Sequence, residues 1–289
     1  MADTTTTTLT TVVPSEYIAA QVVAAAYPFN VVAPLVFNGI QPLGKGKVFS
    51  RPILPTNTAA AVDEASDITA SAQTTTEANI TMGEVGLSVS LTKFAGEIAV
   101  VANNLGMWAG ECGKAIGQKV TGDLCALFAA LNSSTAIGTS GSDITVDYFL
   151  TAMYTLDAAN APGQKRCVLH PRQFYDLASA LTGSGAIYQN LPELIREGRL
   201  PGGQPAAGFA GALFGVPIYI TTEVDAVNSS ADRCGAMFVP DALGFVQLRP
   251  ITAEYDGDAS ARTTEVVVTA AYGVGEIVDG YGVPIETDA

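Results

Sequence analysis

The chain opens on a polar, threonine-rich stretch, MADTTTTTLTT, and only then turns apolar. Residues 1–13 are too polar and repetitive to pack alone, so they are expected to lie free or on a neighbouring chain. From Tyr17 to Gly44 there is no charged residue. A membrane-spanning helix needs about 20 unbroken apolar residues. Here Pro28 and Pro34 interrupt the run, with Gln21, Asn30 and Asn38 in or beside it. The stretch reads instead as a short helix over Ser15 to Ala26, capped by Ser15, followed by an extended apolar arm.

KGKVFSRPIL then reads as a strand, and a long run poor in large apolar groups follows it, TNTAAAVDEASDITASAQTTTEAN. ITMGEVGLSVSLTK resumes an alternating pattern that puts Val85, Leu87, Val89 and Leu91 on one face. Two strands joined by so long a polar run form a hairpin that cannot bury itself, so it is expected to project and pack on another body. Asp63, Glu64 and Asp67 lie in its outer part without metal-ligand spacing, and read as a solvated or neighbour-contacting acidic patch.

A helical period follows over Asn103 to Asn132, through Leu105, Trp108, Cys112, Ile116, Val120, Leu124, Leu127 or Phe128, and Leu131. At 1.5 Å per residue the helix would run on the order of 40 Å. It carries Gly106, Gly110, Gly113, Gly117 and Gly122. Each glycine costs a helix about 1 kcal/mol against alanine, so another backbone is expected to pass close along that face. Glu111, Lys114, Lys119 and Asp123 exclude a membrane span there.

Residues 139–250 read as a separate α/β block. TVDYFLTAMYTLDAAN is helical, RCVLH a strand, and PRQFYDLASAL a helix with Pro171 at its favoured first position. FGVPIYITT gives a turn and strand, and CGAMFVPDALGFVQLRP another strand and a short helix. ARTTEVVVTAAYGVGEIVDGYGVPIET supplies one long strand and a return at the C-terminus.

Charge changes this picture. The 289 residues hold 14 basic and 28 acidic side chains, for a net charge of −14, and only 15% of them are charged, against roughly 25% in an ordinary soluble domain. A nucleic-acid reader that works by phosphate neutralisation needs clustered Lys and Arg and is excluded. Disorder pairs high charge with low hydrophobicity and is argued against by a hydrophobic content of 48%. So few charges leave little to keep a monomer's surface wet, and much of that surface is expected to be buried against other chains.

Candidate chemistry is sparse. Cys112, Cys125, Cys167 and Cys234 form no C-x-x-C pair and read as buried thiols. Gly39 to Gly46 matches the first part of a phosphate loop, but Gly46 stands where Ser or Thr must hold magnesium and a strand follows instead of a helix. His170, the one histidine, sits at a strand–helix corner, and no G-x-S-x-G elbow exists to make it part of a triad. Trp108 is the one tryptophan, so no aromatic platform supports sugar binding. No catalytic, cofactor-binding or metal residue is assigned.

The order of elements resembles the major capsid proteins of tailed bacteriophages, with the Hong Kong 97-type shell fold. The residues that carry the likeness are the arm VPSEYIAAQVVAAAYPFNVVAPLV, GKGKVFSRPIL entering the loop, VLHPRQFYDL, GALFGVPIYITTEV and the closing TTEVVVTAAYGVGEIVDGYGVPI. The likeness spans nearly the whole chain. It implies an α+β fold with residues 1–44 as the N-terminal arm, 45–92 as the extended loop, 93–138 and 251–289 as the peripheral domain with its long spine helix, and 139–250 as the axial domain. It further implies self-assembly as hexamers and pentamers into an icosahedral shell, built in the host cytoplasm and becoming part of the virion. The shell would enclose double-stranded DNA without sequence-specific binding. Scaffolding, portal and decoration proteins are the implied partners, with no cofactor and no membrane.

Asp63, Glu64, Asp67, Lys45, Lys47 and Arg51 are the candidates for contact between subunits. Some relatives cross-link this loop through a lysine and an asparagine. Lys45 and Lys47 lie at its base and its outer part has no lysine, so no cross-link from the tip is expected. Met1 close to the arm gives the expectation that no scaffolding segment is removed from this chain. An acidic inner wall that repels packaged DNA would account for the net charge. Two other readings stay open: an encapsulin-like bacterial shell protein of the same fold, and a hydrolase or sugar-binding domain built on residues 139–250.

Overall fold

A computed structural model describes residues 15–26, 29–55, 57, 59, 61, 62, 64, 67, 72–94, 105–183 and 207–288. The threonine-rich stretch, Asp63 and part of the loop therefore lie outside the described residues.

The uncharged N-terminal stretch forms helix α1, Ser15–Ala26, with Ser15 as its first helical residue. The long helix, α2, is described over Leu105–Cys125. The glycine expectation holds at two of the four positions whose surroundings are described. A Cβ on Gly113 would lie 2.3 Å from the Val22 carbonyl oxygen, and one on Gly117 2.6 Å from that of Ala26. Helix α1 thus lies backbone-to-backbone on α2, and only glycine permits that approach. Gly110 faces open space and Gly122 has only a Glu223 carboxylate oxygen at 3.9 Å.

Beyond Cys125 the chain departs from the expected helix. Phe128–Ala130 is a short 3-10 turn, and Asn132, Ser133 and Ser134 take positive φ of 52°, 51° and 58°. The apolar period continued past the helix end because Phe128 and Leu131 are fully buried for another reason, as plugs of the core beneath the turn.

The arm after α1 is not free. Val31, Val32, Ala33, Leu35 and Val36 are buried in one core with Cys112, Ile116, Val120 and Leu124 of α2. Its peptide groups are met from the same neighbours. Val31 N–H donates to Thr121 Oγ1 at 3.2 Å, and that hydroxyl donates to the Phe29 carbonyl at 2.7 Å. The Arg166 guanidinium donates to the Pro34 carbonyl at 3.3 Å and to that of Leu35. The apolar arm is part of its own subunit's core.

Among the described residues twelve strands follow: β1 Phe37–Ile40, β2 Val48–Ile53, β3 Thr76–Thr81, β4 Gly83–Thr92, β5 Arg166–Leu169, β6 Phe209–Leu213, β7 Val216–Ile220, β8 Ala226–Val227, β9 Asp232–Phe238, β10 Leu243–Asp258, β11 Thr263–Glu276 and β12 Gly282–Asp288. They make a four-stranded sheet ordered β1-β10-β11-β4, a six-stranded sheet β12-β9-β5-β7-β6 with β8 on β9, and the two-stranded hairpin β2-β3. The alternating stretch near residues 80–93 is not one strand of the hairpin, as expected, but two strands. It breaks at Met82: β3 pairs with β2, and β4 pairs with β11 from Tyr272↔Gly83 to Thr263↔Thr92.

The expected boundary near residue 250 falls inside β10. That strand runs 16 residues and passes Pro250 where the register with β11 shifts, between Arg249 and Thr252. A bulge is where a sheet tolerates proline, because the missing N–H is not asked for there. At the other end, β12 leaves the four-stranded sheet and pairs with β9, from Gly282↔Phe238 to Asp288↔Asp232.

The six-stranded sheet is buried on both faces, which is why its strands read as near-continuous apolar runs. Successive residues point oppositely. Cys167, Leu169, Met237, Val283 and Ile285 face α3 (Val146–Ala158) and α4 (Pro171–Gly183), meeting Phe149, Leu156, Leu177 and Leu181. Val168, Cys234, Ala236 and Phe238 face the core that holds the arm and α2. Thr145 caps α3 by accepting from the Tyr148 N–H at 3.3 Å. All four cysteines are buried and free, and burial pushes the Cys234 thiol up to about 12.

Candidate assembly surfaces

The loop is rooted on the four-stranded sheet through Ile80. Cβ atoms added at Gly244, Gly273 and Gly275 would each come within 3.0 Å of its side chain, so these three glycines form its seat. Ala78, Met82, Val246 and Ile277 close the small core around it, with Phe37 and Phe49 alongside. The root is therefore fixed while the hairpin beyond it has little of its own to bury against.

Exposure follows that division. Ile40 is 77% exposed, Leu43 80% and Leu54 78%, and Val48 and Val62 are also exposed. Large apolar side chains cluster at the foot and arms of the hairpin, where a lone subunit leaves them in water at roughly 25 cal/mol per Å². On β4, Val85, Val89 and Leu91 are half-buried, whereas Leu87 is exposed. The expected common face is real but only partly covered.

The six predicted contact residues fall in different settings. Gly44 and Gly46 turn the chain with positive φ between β1 and β2, and Lys45 and Lys47 stand exposed in and beside that turn. No helix follows, so the partial phosphate-loop match is a strand–turn–strand. Lys47 borders a cavity of about 480 Å³ with Leu43, Met82, Leu248 and Arg249, where Arg249 pairs with Glu84. Glu64 and Asp67 are exposed, and Asp63 is outside the described residues.

Arg51 is different, because it is engaged within the subunit. Its guanidinium donates to Asp241 at 2.9 Å and lies 4.1 Å from the Phe37 ring centroid. The five described candidates lie in separate settings: Lys45 and Lys47 at the turn, Arg51 on β2, and Glu64 and Asp67 in the loop. Ile40, Leu43 and Leu54, which the sequence reading passed over, are the more exposed feature of the same region.

A second open concavity, of about 490 Å³, lies where the β10–β11 turn meets the end of β4. Lys93, Arg262 and Phe94 line it, and Phe94 is 71% exposed.

The remaining chemistry is structural. His170 Nδ1 accepts from the Arg172 N–H at 3.3 Å, and burial, with Arg233 nearby, holds the imidazole below its usual value. Gln173 is fully buried. It accepts from the His170 N–H at 3.1 Å and donates to the Arg233 carbonyl at 2.9 Å and to Thr287 Oγ1 at 2.8 Å. Asp232, also without exposed surface, accepts from Gly141 N–H at 3.0 Å and Asn228 Nδ2 at 2.6 Å. These bonds, with one from Ser140, hold its carboxyl below the usual range. Among the described residues no group of three or more His, Cys, Asp or Glu is placed to hold a metal. No helix among them is long and apolar enough to cross a membrane.

By sequence, no family model and no curated protein matches the chain. By structure, it matches the capsid of Ralstonia phage GP4 with TM-score 0.64 at 12% identity, over 89% of this chain and 90% of the other. The cyanophage Pam1 capsid matches with TM-score 0.62 at 14% identity, over 89% and 92%. The holo-SrpI encapsulin complex from Synechococcus elongatus matches with TM-score 0.61 at 11% identity, over 100% and 92%. The class is thereby defined: the chain has the Hong Kong 97-type fold, a structural shell-protein fold. Phage capsid proteins and an encapsulin share this fold.

Proposed function

We propose that the chain is the major capsid protein of a tailed bacteriophage, assembling as hexamers and pentamers into the icosahedral shell around double-stranded DNA in the virion. The observation that carries this reading, within the fold, is that the end of β1, the turn after it and the rooted hairpin leave Ile40, Leu43, Val48, Leu54 and Val62 in solvent. Large apolar side chains left exposed call for a partner, and in this reading the partner is the next subunit. Residues 1–44 serve as the N-terminal arm, 45–92 as the extended loop, 93–138 and 251–281 as the peripheral domain, and 139–250 as the axial domain. The pairing of β12 with β9 supports moving residues 282–288 from the peripheral to the axial domain. Lys45, Lys47, Asp63, Glu64 and Asp67 meet neighbouring subunits, and Arg51 fixes the loop's root. Scaffolding, portal and decoration proteins are the further partners.

An encapsulin-like shell is the second reading, favoured by the SrpI match over the full length of this chain.

Electron microscopy of the expressed full chain tests the shell. Capsomers or closed particles are expected, and a stable monomer overturns the proposal. Replacing residues 54–75 by Asn-Gly, a turn that closes two-residue hairpins, keeps the last pair Ile53↔Thr76. That variant is expected to stay soluble and fail to assemble, and normal particles from it refute the role given to the loop. Native particles are expected to hold DNA. Particles filled with one defined protein cargo decide for the encapsulin reading.

A further inference from the structure

Three crossings join the two larger sheets: residues 131–137 after α2, residues 239–242 between β9 and β10, and residues 277–281 between β11 and β12. They meet at one place. Val239 N–H donates to the Tyr281 carbonyl at 3.0 Å and Ile277 N–H to that of Ala242 at 2.8 Å. The first crossing is tied to the third by Ser133, whose N–H and hydroxyl donate to the two oxygens of the Asp279 carboxylate, each at 2.8 Å.

What Asp279 holds is unusual. Asn132, Ser133 and Ser134 are three consecutive non-glycine residues at φ of 52°, 51° and 58°, a turn of left-handed helix. L-residues visit this region singly, and a run of them is disfavoured residue by residue. It persists only where its surroundings over-determine it. Both flanks are anchored. Leu131 has no exposed surface and packs on Gly282, where an added Cβ would lie 2.7 Å from its side chain. Ile137 N–H donates to the Pro284 carbonyl and Glu286 N–H to the Ile137 carbonyl, both at 2.9 Å. Between the anchors the side chains of Ser133, Ser134 and Thr135 are exposed, within reach of another molecule.

We propose that this turn is a conformational latch between the two sheet layers. Asp279 holds residues 132–134 in the left-handed form, and release of Ser133 lets the crossing relax toward right-handed or extended geometry. Because Leu131 continues from α2 and Ile137 is bonded to β12, a change of length between them alters the angle between α2 and the six-stranded sheet.

The test uses the full chain as purified, with Asp279→Ala, Asp279→Asn, Ser133→Gly and the double variant Asp279→Ala/Ser133→Gly. Hydrogen exchange of peptides covering 131–138 is expected to rise about tenfold or more in Asp279→Ala, with little change elsewhere, as a local opening should behave. Its thermal midpoint is expected to fall, and Asp279→Asn is expected to fall less. Glycine takes positive φ freely, so Ser133→Gly added to Asp279→Ala is expected to recover the midpoint. A double variant no more stable than Asp279→Ala overturns the latch, because the carboxylate was then not holding strain, and so does unchanged exchange. In assembled particles, cryo-electron microscopy of Asp279→Ala is expected to show a changed angle between α2 and β9, and an unchanged angle also overturns it. Wild-type chain that forms no particles counts against the shell reading alone, since the exchange and rescue measurements decide the latch on the soluble subunit.

Discussion

Gly113→Ala asks whether the contact between α1 and α2 is as close as it looks. The added methyl would lie 2.3 Å from the Val22 carbonyl oxygen, 3.0 Å from its carbon and 3.1 Å from Ala25 Cβ. The nearest of these atoms is backbone, so relief requires α1 itself to move. Gly110 is one turn earlier on the same helix and has no described residue within 4 Å of an added Cβ. Both changes gain the same intrinsic helix preference, about 1 kcal/mol. The difference between the two variants is therefore the overpacking alone, about 1–3 kcal/mol. Gly110→Ala should raise stability by up to about 1 kcal/mol, and Gly113→Ala should lower it. Urea unfolding of the unassembled chain, followed by circular dichroism and by the fluorescence of Trp108 on α2, measures both. Equal midpoints, or a more stable Gly113→Ala, would refute the close approach.

Gly117→Ala should behave like Gly113→Ala, its Cβ meeting the Ala26 carbonyl oxygen at 2.6 Å. Asp232 has a folded-state value below its unfolded one, held there by hydrogen bonds from Ser140, Gly141 and Asn228. The native state thus binds fewer protons, and the stabilisation is complete above the unfolded value of about 3.9 and lost as pH falls through the folded one. Asp232→Asn should flatten the acid limb of stability against pH, and an unchanged limb would show that other carboxylates set it. Arg51→Ala removes a half-exposed ion pair and a stacked ring, so a loss of about 1 kcal/mol is expected in thermal unfolding. Gln173→Leu leaves the His170 N–H and Thr287 hydroxyl without this partner in a buried site, and should cost about 1–3 kcal/mol in denaturant unfolding.

Helix α1 and the strands around Cys167 and Ile218 were legible because local pattern and tertiary role agree there. The glycines of α2 were legible as a group, but which of them face a backbone depends on where α1 lands, and residue spacing does not carry that. The single strand expected over 80–93 became two because Met82 changes partners between sheets, and alternation is the same on either side of the change. The boundary expected at residue 250 falls within β10, which carries Pro250 through at the register shift after Arg249. Charge marks the candidate contact residues in the sequence, but it does not show that Arg51 is also paired with Asp241 of the same chain. The exposed Ile40, Leu43 and Leu54 gave no signal, since an apolar residue near a strand is read as core until the absence of a partner is seen.

The burial of the arm sets an order of events during synthesis. Val31 to Val36 share a core with Phe238, Leu243, Val266 and Val268, and β1 pairs with β10 at Phe37↔Gly244. Those partners leave the ribosome some two hundred residues later, at ~5–20 residues per second. Until then the arm has only α2 to lie on, and a chain that stops before residue 238 leaves the other side of its seat open. Closure of the core is thus a check on completeness: the arm is sealed only once the C-terminal strands have been made.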